Sequence, residues 1–405
     1  MSTQKVLGQL FNKLDGTTKW QLDFFIELFD LIYSIQGRIN FQNMCRYSQW
    51  NESTFRRNFQ KPFDWFRFNL ELIKLAGVKL DKEVIAAFDC SFISKSGKKT
   101  YGLDRFWSGC LGKATRGLEI GLVSLIDVST RKAWALHVRQ TPADLSTKQE
   151  DILKTRIDFY LEQIKCCAEQ LKSVTYMVGD GFYAKTKVFQ TMITLDKYFI
   201  TKLRPDANLR YLYQGEHPKR KGKKSRYAGK IDFDDITLWQ YCGNLQEHIE
   251  VYSVVANSPK FKQDLKIVML YNVQSNTHVL LSCTDLNLEA FKIIDYYRLR
   301  FQLEFLFRDA KQFMGLTHCQ ARSQEKLDFH FNFSLAAINM ANYQIQENPN
   351  IISINTFKRI AYNTRFTEVL FMQLSLFPKF DINSQPVQNA INLGRMWYPI
   401  NSKAA

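Results

Sequence analysis

The segment DYYRLRFQLEFLFRDAKQ places one glutamate among basic and aromatic residues at helical spacing. At 100° per residue, one narrow stripe of such a helix carries Tyr297, Arg300, Glu304, Arg308 and Lys311. Glu304 lies four residues from each arginine, and spacing alone favours ordinary surface ion pairs. The other interpretation is a phosphate-binding face with a metal-ligating carboxylate at its centre.

Two aspartates follow short apolar runs that are typical of buried strands. Residues 84–88 precede Asp89, and residues 174–178 lie just before Asp180. Acidic residues beyond the carboxyl ends of strands stand where open α/β sheets build their active sites. Each aspartate alone is also compatible with a turn or a capped loop. Together with Glu304, they give the order of carboxylates expected of a metal-dependent nuclease.

Three carboxylates of this kind suit phosphodiester cleavage. Its transition state concentrates negative charge on the attacking and leaving oxygens, which two Mg²⁺ ions about 4 Å apart stabilise. Mg²⁺ prefers carboxylate and phosphate oxygens to the donor atoms of His or Cys. Crowded carboxylates repel one another and raise each other's pKa unless cations neutralise them. We therefore expect two Mg²⁺ ions as cofactors, with Mn²⁺ as a substitute.

The spacing of Tyr297, Arg300, Glu304 and Lys311 resembles the Tyr-Arg-Glu-Lys signature of one group of bacterial insertion-sequence transposases. These are DDE enzymes with a ribonuclease-H-like catalytic core. The segments FDCSF and VGDGFY resemble those that carry the first two acids of the family. The resemblance covers roughly residues 84–315, and a helical, DNA-binding region precedes it.

The resemblance implies a role for each matching residue. The catalytic and metal-binding residues would be Asp89, Asp180 and Glu304. Arg300 and Lys311 would hold phosphates of the element's end, Tyr297 would position the strand, and Arg308 shares their stripe as a further DNA contact. The reaction would be hydrolysis at the element's end, followed by attack of the 3′-hydroxyl on target DNA. Some relatives stabilise a flipped base with an aromatic ring, and Trp239 is a candidate, although a core position suits a Trp better.

The patterns of strands and helices imply an α/β fold with a β-rich insertion and helices at both ends. The resemblance implies that the mixed-sheet core is ribonuclease-H-like. The expected domains are residues 1–80 (helical, DNA-binding), 81–205 with 286–325 (core), 206–285 (insertion) and 326–405 (C-terminal helices). LEIGLVSLIDV and KAWALHV predict paired strands, and DLKIVMLYN and THVLLSC predict a second pair. Thr147 and Glu150 form a capping box ahead of a helix. A continuous helix is expected from about residue 288 to 314, ended by Gly315, and an irregular tail after Pro378.

The N-terminal region reads as helical, with a nearly continuous apolar helix over residues 20–35. After it, two short helices around a polar turn resemble a helix-turn-helix, with Ser53 as N-cap of the second. That second helix carries Arg56 and Arg57 as DNA contacts. A plain helical bundle with a basic face explains the same pattern equally well.

The chain is strongly basic, with 55 Lys and Arg against 39 Asp and Glu in 405 residues. This balance favours a polyanionic partner. No stretch approaches the length of a membrane-spanning helix, so nucleic acid is the expected polyanion. The resemblance implies double-stranded DNA, at transposon ends and target, in a bacterial cytoplasm near the nucleoid. Two loops would contact its backbone. Their cations are Lys98, Lys99, Lys219, Arg220, Lys221, Lys223 and Lys224. Paired-end chemistry further implies a homodimer on DNA.

Two other functions are compatible with the sequence. One is a non-catalytic DNA-binding regulator derived from a transposase, in which the carboxylates would be dispensable. The other is a different ribonuclease-H-like nuclease, which would share the metals but not the paired-end substrate. The eight cysteines form no CxxC pair and no zinc-spaced cluster, so we expect free thiols rather than a structural metal.

Overall fold

The computed structural model describes residues 3–80, 83–145, 154–213, 215, 226–348, 350–374 and 381–392. Within these ranges, no helix combines the length and the apolar character needed to cross a bilayer. One hydrophobic core extends from Val6 in the first helix to Phe357 near the C-terminus. The N-terminal helices, the sheet and most of the C-terminal helices therefore share a single interior.

The N-terminal region is helical, as predicted. Its helices are α1 (Thr3–Phe11), α2 (Lys19–Ser34), α3 (Phe41–Arg46), α4 (Glu52–Asn58) and α5 (Trp65–Leu75). The apolar run predicted as a helix is α2, and its N-cap is Thr18, whose hydroxyl accepts a hydrogen bond from the Gln21 amide at 3.2 Å. Rings from α2 and α5 pack together, with Phe25 at the centre.

The cap predicted for the second short helix is wrong by two residues. Asn51, not Ser53, is the N-cap of α4, because its side-chain oxygen accepts a hydrogen bond from the Thr54 amide at 3.1 Å. Ser53 instead lies in the first turn and donates to the same oxygen. Asn and Ser are comparably good caps, so the sequence could not separate them.

The first half of the sheet is antiparallel. Its strands are β1 (Val84–Ser94), β2 (Asp104–Ser108), β3 (Lys113–Asp127) and β4 (Lys132–Gln140). The predicted β3–β4 pair is confirmed, with Asp127 opposite Lys132. The turn between them is held by the Asp127 carboxylate, which accepts from the Ser129 amide at 2.9 Å.

An alternating α/β unit follows. It consists of α6 (Arg156–Gln170), β5 (Tyr176–Gly179), a short 3₁₀ turn (Gly181–Tyr183), α7 (Thr186–Thr194) and β6 (Tyr198–Leu203). The predicted helix is confirmed as α6, but its capping box is formed by Thr155 and Asp158. The box predicted at Thr147 and Glu150 lies outside the described residues. Because β1, β5 and β6 are parallel and β3 is antiparallel to β1, the order β4-β3-β1-β5-β6 is that of a ribonuclease-H-like core.

The β-rich segment continues the same sheet. Its strands are β7 (Arg210–Leu212), β8 (Tyr227–Lys230), β9 (Gln240–Gln246), β10 (Ile249–Ser258), β11 (Gln263–Asn272) and β12 (Thr277–Cys283). β12 pairs antiparallel with β6, placing Leu280 opposite Leu203. The described strands therefore form one sheet rather than a core and a detached β unit. Trp239 is buried near Phe233, as expected of a core residue.

The helix predicted from 288 to 314 is interrupted. The structure has α8 (Ala290–Leu299) and α9 (Gln302–Phe313), separated at Arg300 and Phe301. Three backbone bonds at the junction span three residues instead of four, from the amides of Phe301, Leu303 and Glu304. This tighter winding turns Glu304 relative to Tyr297 and so alters the stripe calculated for an unbroken helix.

The C-terminal helices are α10 (Gln324–Glu347), α11 (Ile354–Gln373) and α12 (Gln385–Ile391). The prediction of a wholly irregular tail after Pro378 is wrong, because Val387 and Ile391 of α12 pack against Phe371. α10 lies along β4, and two of its asparagines form hydrogen bonds with the backbone at the outer edge of that strand. Asn339 bonds the amide and carbonyl of Ala135, and Asn332 bonds those of Val138. These side chains form hydrogen bonds with backbone groups that are otherwise unpaired on an edge strand.

Candidate active site

Asp89 and Asp180 are neighbours across two parallel strands. β1 and β5 pair in a register that puts Phe88 opposite Gly179, so the next residue of each chain is an aspartate. Such strands lie about 4.8 Å apart and carry in-register side chains on the same face. The prediction that a strand ends before Asp89 is wrong, because β1 continues to Ser94 in its pairing with β3. β5 does end at Gly179, immediately before Asp180.

The backbone beyond β5 fixes Asp180. Its side-chain oxygen accepts a hydrogen bond from the Phe182 amide at 3.0 Å and so caps the 3₁₀ turn. Its carbonyl accepts from the Thr201 hydroxyl at 2.8 Å. The intervening glycine passes close to β6, since a Cβ at Gly181 would stand 3.4 Å from the Lys202 carbonyl. The turn therefore holds this carboxylate beside β1.

Arg300 joins two of the three predicted carboxylates. Its Nη1 lies 2.9 Å from the Asp89 carboxylate, and its Nη2 lies 3.7 Å from that of Glu304. The Arg300 side chain is only 13 % exposed, whereas that of Glu304 is 47 % exposed. Asp89 and Arg300 are 211 residues apart in sequence. The fold thus links Asp89 to Glu304 through the guanidinium of Arg300, and the register of β1 and β5 places Asp180 beside Asp89.

Burial and mutual repulsion dominate the electrostatics. Burial and, next, the charge of Asp180 raise the pKa of Asp89 to about 6, even though Arg300 opposes the shift. The pKa of Asp180 is also raised, chiefly by burial, while Arg300 and Lys185 oppose the shift. One guanidinium therefore does not offset the cost of holding these carboxylates in a poorly solvated site.

Arg300 itself is incompletely satisfied. Its Nε is buried and has no hydrogen-bond partner among the described residues. The guanidinium carbon lies 5.7 Å from the centre of the Tyr297 ring, so the tyrosine forms one wall of the site. A buried N–H without a partner is costly. The site can therefore accept one more hydrogen-bond acceptor, such as a phosphate oxygen.

Lys311 is attached to β1 rather than extended into solvent. Its Nζ donates to the Ser91 hydroxyl at 2.8 Å and to the Phe92 carbonyl at 3.0 Å. Burial lowers its pKa. Ser91 shares the face of Asp89, because alternate residues of a strand point the same way. Lys311 thus places a positive charge two positions along β1 from the first carboxylate.

Arg308 does not join this group. It forms an ion pair with Asp309 at 3.0 Å, and its guanidinium lies over the Phe305 ring at 4.6 Å. The surface ion pair suggested by the sequence between Arg308 and Glu304 is therefore not formed, whereas that with Arg300 is. More than half of the Arg308 side chain is exposed.

The other predicted DNA contacts lie elsewhere on the surface. Lys98 and Lys99 are exposed in the loop after β1. Arg56 is bonded to Glu52 within α4, and Arg57 is exposed on the same helix. The predicted contacts in the second loop lie outside the described residues. These are Lys219, Arg220, Lys221, Lys223 and Lys224.

Sequence reasoning did not identify two residues at the site. Lys185 lies at the start of α7, where its charge lowers the pKa of Asp180 and its Nζ lies 3.8 Å from the centre of the Phe182 ring. Ser91 bonds Lys311, as described above. Lys185 could have been identified from its position five residues after Asp180. Ser91 could not, because its role depends on Lys311, which lies 220 residues away in the sequence.

The described residues contain no group of three or more His, Cys, Asp or Glu side chains close enough together to share a metal ion. The arrangement gives the reason, since the Arg300 guanidinium stands between Asp89 and Glu304. Asp89 and Asp180 nevertheless lie next to each other, and the charge of Asp180 raises the pKa of Asp89. The donor set consists of carboxylate oxygens, which is what hard divalent cations prefer.

Two protein families match the chain. The family described as DDE superfamily endonuclease matches residues 9–249, more than half of the chain, and includes Asp89 and Asp180. The family described as transposase DDE domain matches residues 160–340 and includes Asp180 and Glu304. A comparison with curated proteins found no match. The chain therefore belongs to the DDE superfamily of endonucleases and carries a transposase DDE domain.

Proposed function

We propose that this protein cuts DNA at the ends of its own insertion sequence and joins the resulting 3′-hydroxyl to target DNA. The observation that carries the proposal is that Asp89 and Glu304 both contact the Arg300 guanidinium, while Asp180 lies beside Asp89 on the neighbouring strand. Ordinary surface ion pairing does not explain this arrangement, because Asp89 is held at a raised pKa in a poorly solvated site. Such a cost is characteristic of functional sites.

The site has the chemistry to hold divalent metal ions. Asp89, Asp180 and Glu304 would bind two Mg²⁺ or Mn²⁺ ions, which stabilise the attacking and leaving oxygens of phosphoryl transfer when bound. The raised pKa of Asp89 supports this role, because added positive charge would relieve the repulsion from Asp180. Glu304 is not locked in place by packing, since nearly half of its side chain is exposed.

The neighbouring residues would bind and orient the DNA strand. Arg300 carries an unpaired buried Nε and a planar set of donors that matches phosphate geometry. Lys311, anchored on Ser91, would add positive charge beside the same strand. Tyr297 would limit the movement of the Arg300 guanidinium from one side. Together these groups would hold the reacting phosphate in line with the carboxylates, which is a large part of catalysis in phosphoryl transfer.

The substrate would be double-stranded DNA, both at the element's ends and at the target. The excess of 55 basic over 39 acidic residues supports a polyanionic partner. Residues 1–80 would contact DNA through Arg56, Arg57 or their neighbours, and the two basic loops would contact backbone phosphates. Because the reaction joins two ends, the active form would be a homodimer on DNA. Analytical ultracentrifugation with and without end DNA would test this.

Cleavage of a plasmid that carries the gene with its flanking DNA tests the proposal. In Mg²⁺ or Mn²⁺ the wild-type protein should cut near the element's ends, and EDTA should stop it. Asp89→Asn, Asp180→Asn and Glu304→Gln should abolish cutting while DNA binding remains. Asp309→Asn is the matched control, because Asp309 lies on α9 but pairs with Arg308. Equal cutting by wild type and Asp89→Asn would refute the assignment.

Two further outcomes separate the alternatives. A protein that binds end DNA tightly but never cuts it would be the regulator derived from a transposase. A protein that cuts branched DNA or RNA without preference for element ends would be a different ribonuclease-H-like nuclease. A strand-transfer assay with pre-cut 3′-hydroxyl duplexes decides between cutting alone and cutting with joining.

A further inference from the structure

A basic cleft of about 870 Å³ opens where β1 ends. It lies between the loop 95–100, the turn 317–322 and the N-terminal region. Its cationic side chains are Arg38, Lys95, Lys98, Lys99 and Arg322, and its described lining contains no Asp or Glu. The cleft therefore gathers positive charge from three separate parts of the chain.

Most cations of the basic cleft have no anionic partner among the residues that the structure describes. Over the ranges that the structure describes, no ion pair is formed by Arg38, Lys98, Lys99 or Arg322. Cations elsewhere are commonly paired, as Arg131 is with Asp295 at 2.9 Å. Like charges held together without counter-charges repel one another, and a bound anion would remove that cost.

The cleft is built from fixed rather than loose segments. Lys95 donates from its Nζ to the Cys319 carbonyl, which joins the loop to the turn. The Tyr101 amide donates to the Arg322 carbonyl at 2.9 Å. The Ile39 amide donates to His318 Nδ1 at 3.1 Å and thereby positions Arg38 next to the turn. A rigid arrangement of this kind loses little entropy when an anion binds.

Positive charges lead from the active site to the basic cleft along β1. Arg300 contacts Asp89, and Lys311 contacts Ser91 and Phe92. Lys95 follows directly after Ser94, the last residue of the strand. The cations therefore follow β1 from the carboxylates to the cleft, as the contacts of a single bound DNA backbone would.

We propose that the basic cleft binds backbone phosphates of the substrate duplex about five nucleotides from the phosphate that is cut. The distance follows from β1, because five residues separate Asp89 from Ser94 and span about 17 Å at 3.3 Å each. Successive phosphates of one strand advance about 3.4 Å along a duplex. This inference rests on the proposed function, since the distance along the DNA is counted from the site of cleavage. It assigns Arg38 and Arg322 to DNA binding.

The salt dependence of binding tests the cleft without requiring cleavage. A fluorescent 40-base-pair duplex would be titrated with wild type and with Arg38→Gln/Arg322→Gln at several salt concentrations. Each lost phosphate contact lowers the slope of log affinity against log salt by about 0.9, so we expect a decrease of roughly two and affinity about tenfold weaker. The control is Lys165→Gln/Lys172→Gln, which removes two exposed lysines, one in α6 and one just after it, that do not line the cleft. Equal slopes for the wild type and the cleft variant would overturn the proposal.

A phosphate scan tests the predicted distance. Single neutral methylphosphonates would be placed along a duplex whose cleavage position has first been mapped with Mn²⁺. Wild-type binding should weaken most when the substitution lies about five nucleotides from the cut. Binding by the cleft variant should not weaken further when the substitution lies at that position, although it should weaken at other positions. The reason is that the arginine substitutions and the neutral phosphate remove the same contact. Equal sensitivity of both proteins there would overturn the proposed location.

The two proposals fail in different ways. If Asp89→Asn cuts as well as wild type, the active-site assignment fails, whatever the salt slopes show. If Asp89→Asn is inactive and the cleft variant binds DNA as wild type does, only the role of the basic cleft fails.

Discussion

The Arg300 guanidinium lies 2.9 Å from the Asp89 carboxylate and is the only cation that forms an ion pair with that residue among the described residues. Its second nitrogen lies 3.7 Å from Glu304, and its Nε is unpaired. Arg300 therefore holds apart two acids that the proposed chemistry requires together. An incoming phosphate would give its donors a better partner and leave the carboxylates to bind cations.

Arg300→Lys should lower the rate of cleavage at saturating DNA by about 10²–10³, the usual cost of losing one preorganised donor at a reacting phosphate. Lysine keeps the charge but loses the planar set of donors. Single-turnover cleavage measures this directly. Arg308→Lys is the matched control on the next helix and should stay within a fewfold of wild type, because Arg308 contacts Asp309 and Phe305. Equal losses in both variants would contradict the role given to Arg300.

Asp89→Asn should stabilise the protein at high pH. The folded-state pKa is about 6 against 3.8 for an ordinary aspartate, so above pH 6 the folded protein carries a charge that is better solvated in the unfolded chain. About two pKa units correspond to roughly 3 kcal/mol, and this difference already includes the favourable effect of Arg300 on the Asp89 carboxylate. The variant should melt a few degrees higher at pH 8, and the difference should shrink as pH falls from 6 to 4. A wild type that melts higher at pH 8 would contradict this prediction.

Divalent metal should stabilise the wild type in the absence of DNA. Ligands that bind only the folded state raise its stability by mass action, so millimolar Mn²⁺ should raise the melting temperature. Glu304→Gln and Asp180→Asn should reduce that increase, whereas Asp309→Asn should retain it. An unchanged melting temperature over a wide range of Mn²⁺ concentrations would count against metal binding by the free protein.

Asn339→Ala should destabilise the fold without touching the site. Asn339 is fully buried and bonds both backbone groups of Ala135 and the side chain of Asn69. Removing it leaves buried polar groups without partners, at a cost of about 2–4 kcal/mol. The urea midpoint of unfolding measures the change. The exposed Gln324 on the same helix provides the control, since Gln324→Ala should shift the midpoint little.

Much of the fold could be predicted from local patterns. The strands β3, β4, β11 and β12 and the helices α2 and α6 follow apolar periodicity, because burial on one face repeats with the geometry of each element. The break at Arg300 could not be predicted in this way. Every residue from Tyr297 to Glu304 is compatible with a helix, and the tighter winding depends on contacts with β1, more than two hundred residues earlier.

The sequence by itself determined which residue types were available, namely three carboxylates in family order and cations at helical spacing around the third. Only the tertiary structure decided how they pair. It placed Arg300 between Asp89 and Glu304, attached Lys311 to β1, left Arg308 with Asp309, and gathered unpaired cations into the basic cleft. The physical reason is that helical and strand periodicity depend on near neighbours, whereas ion pairs depend on burial and on the register of strands far apart in sequence.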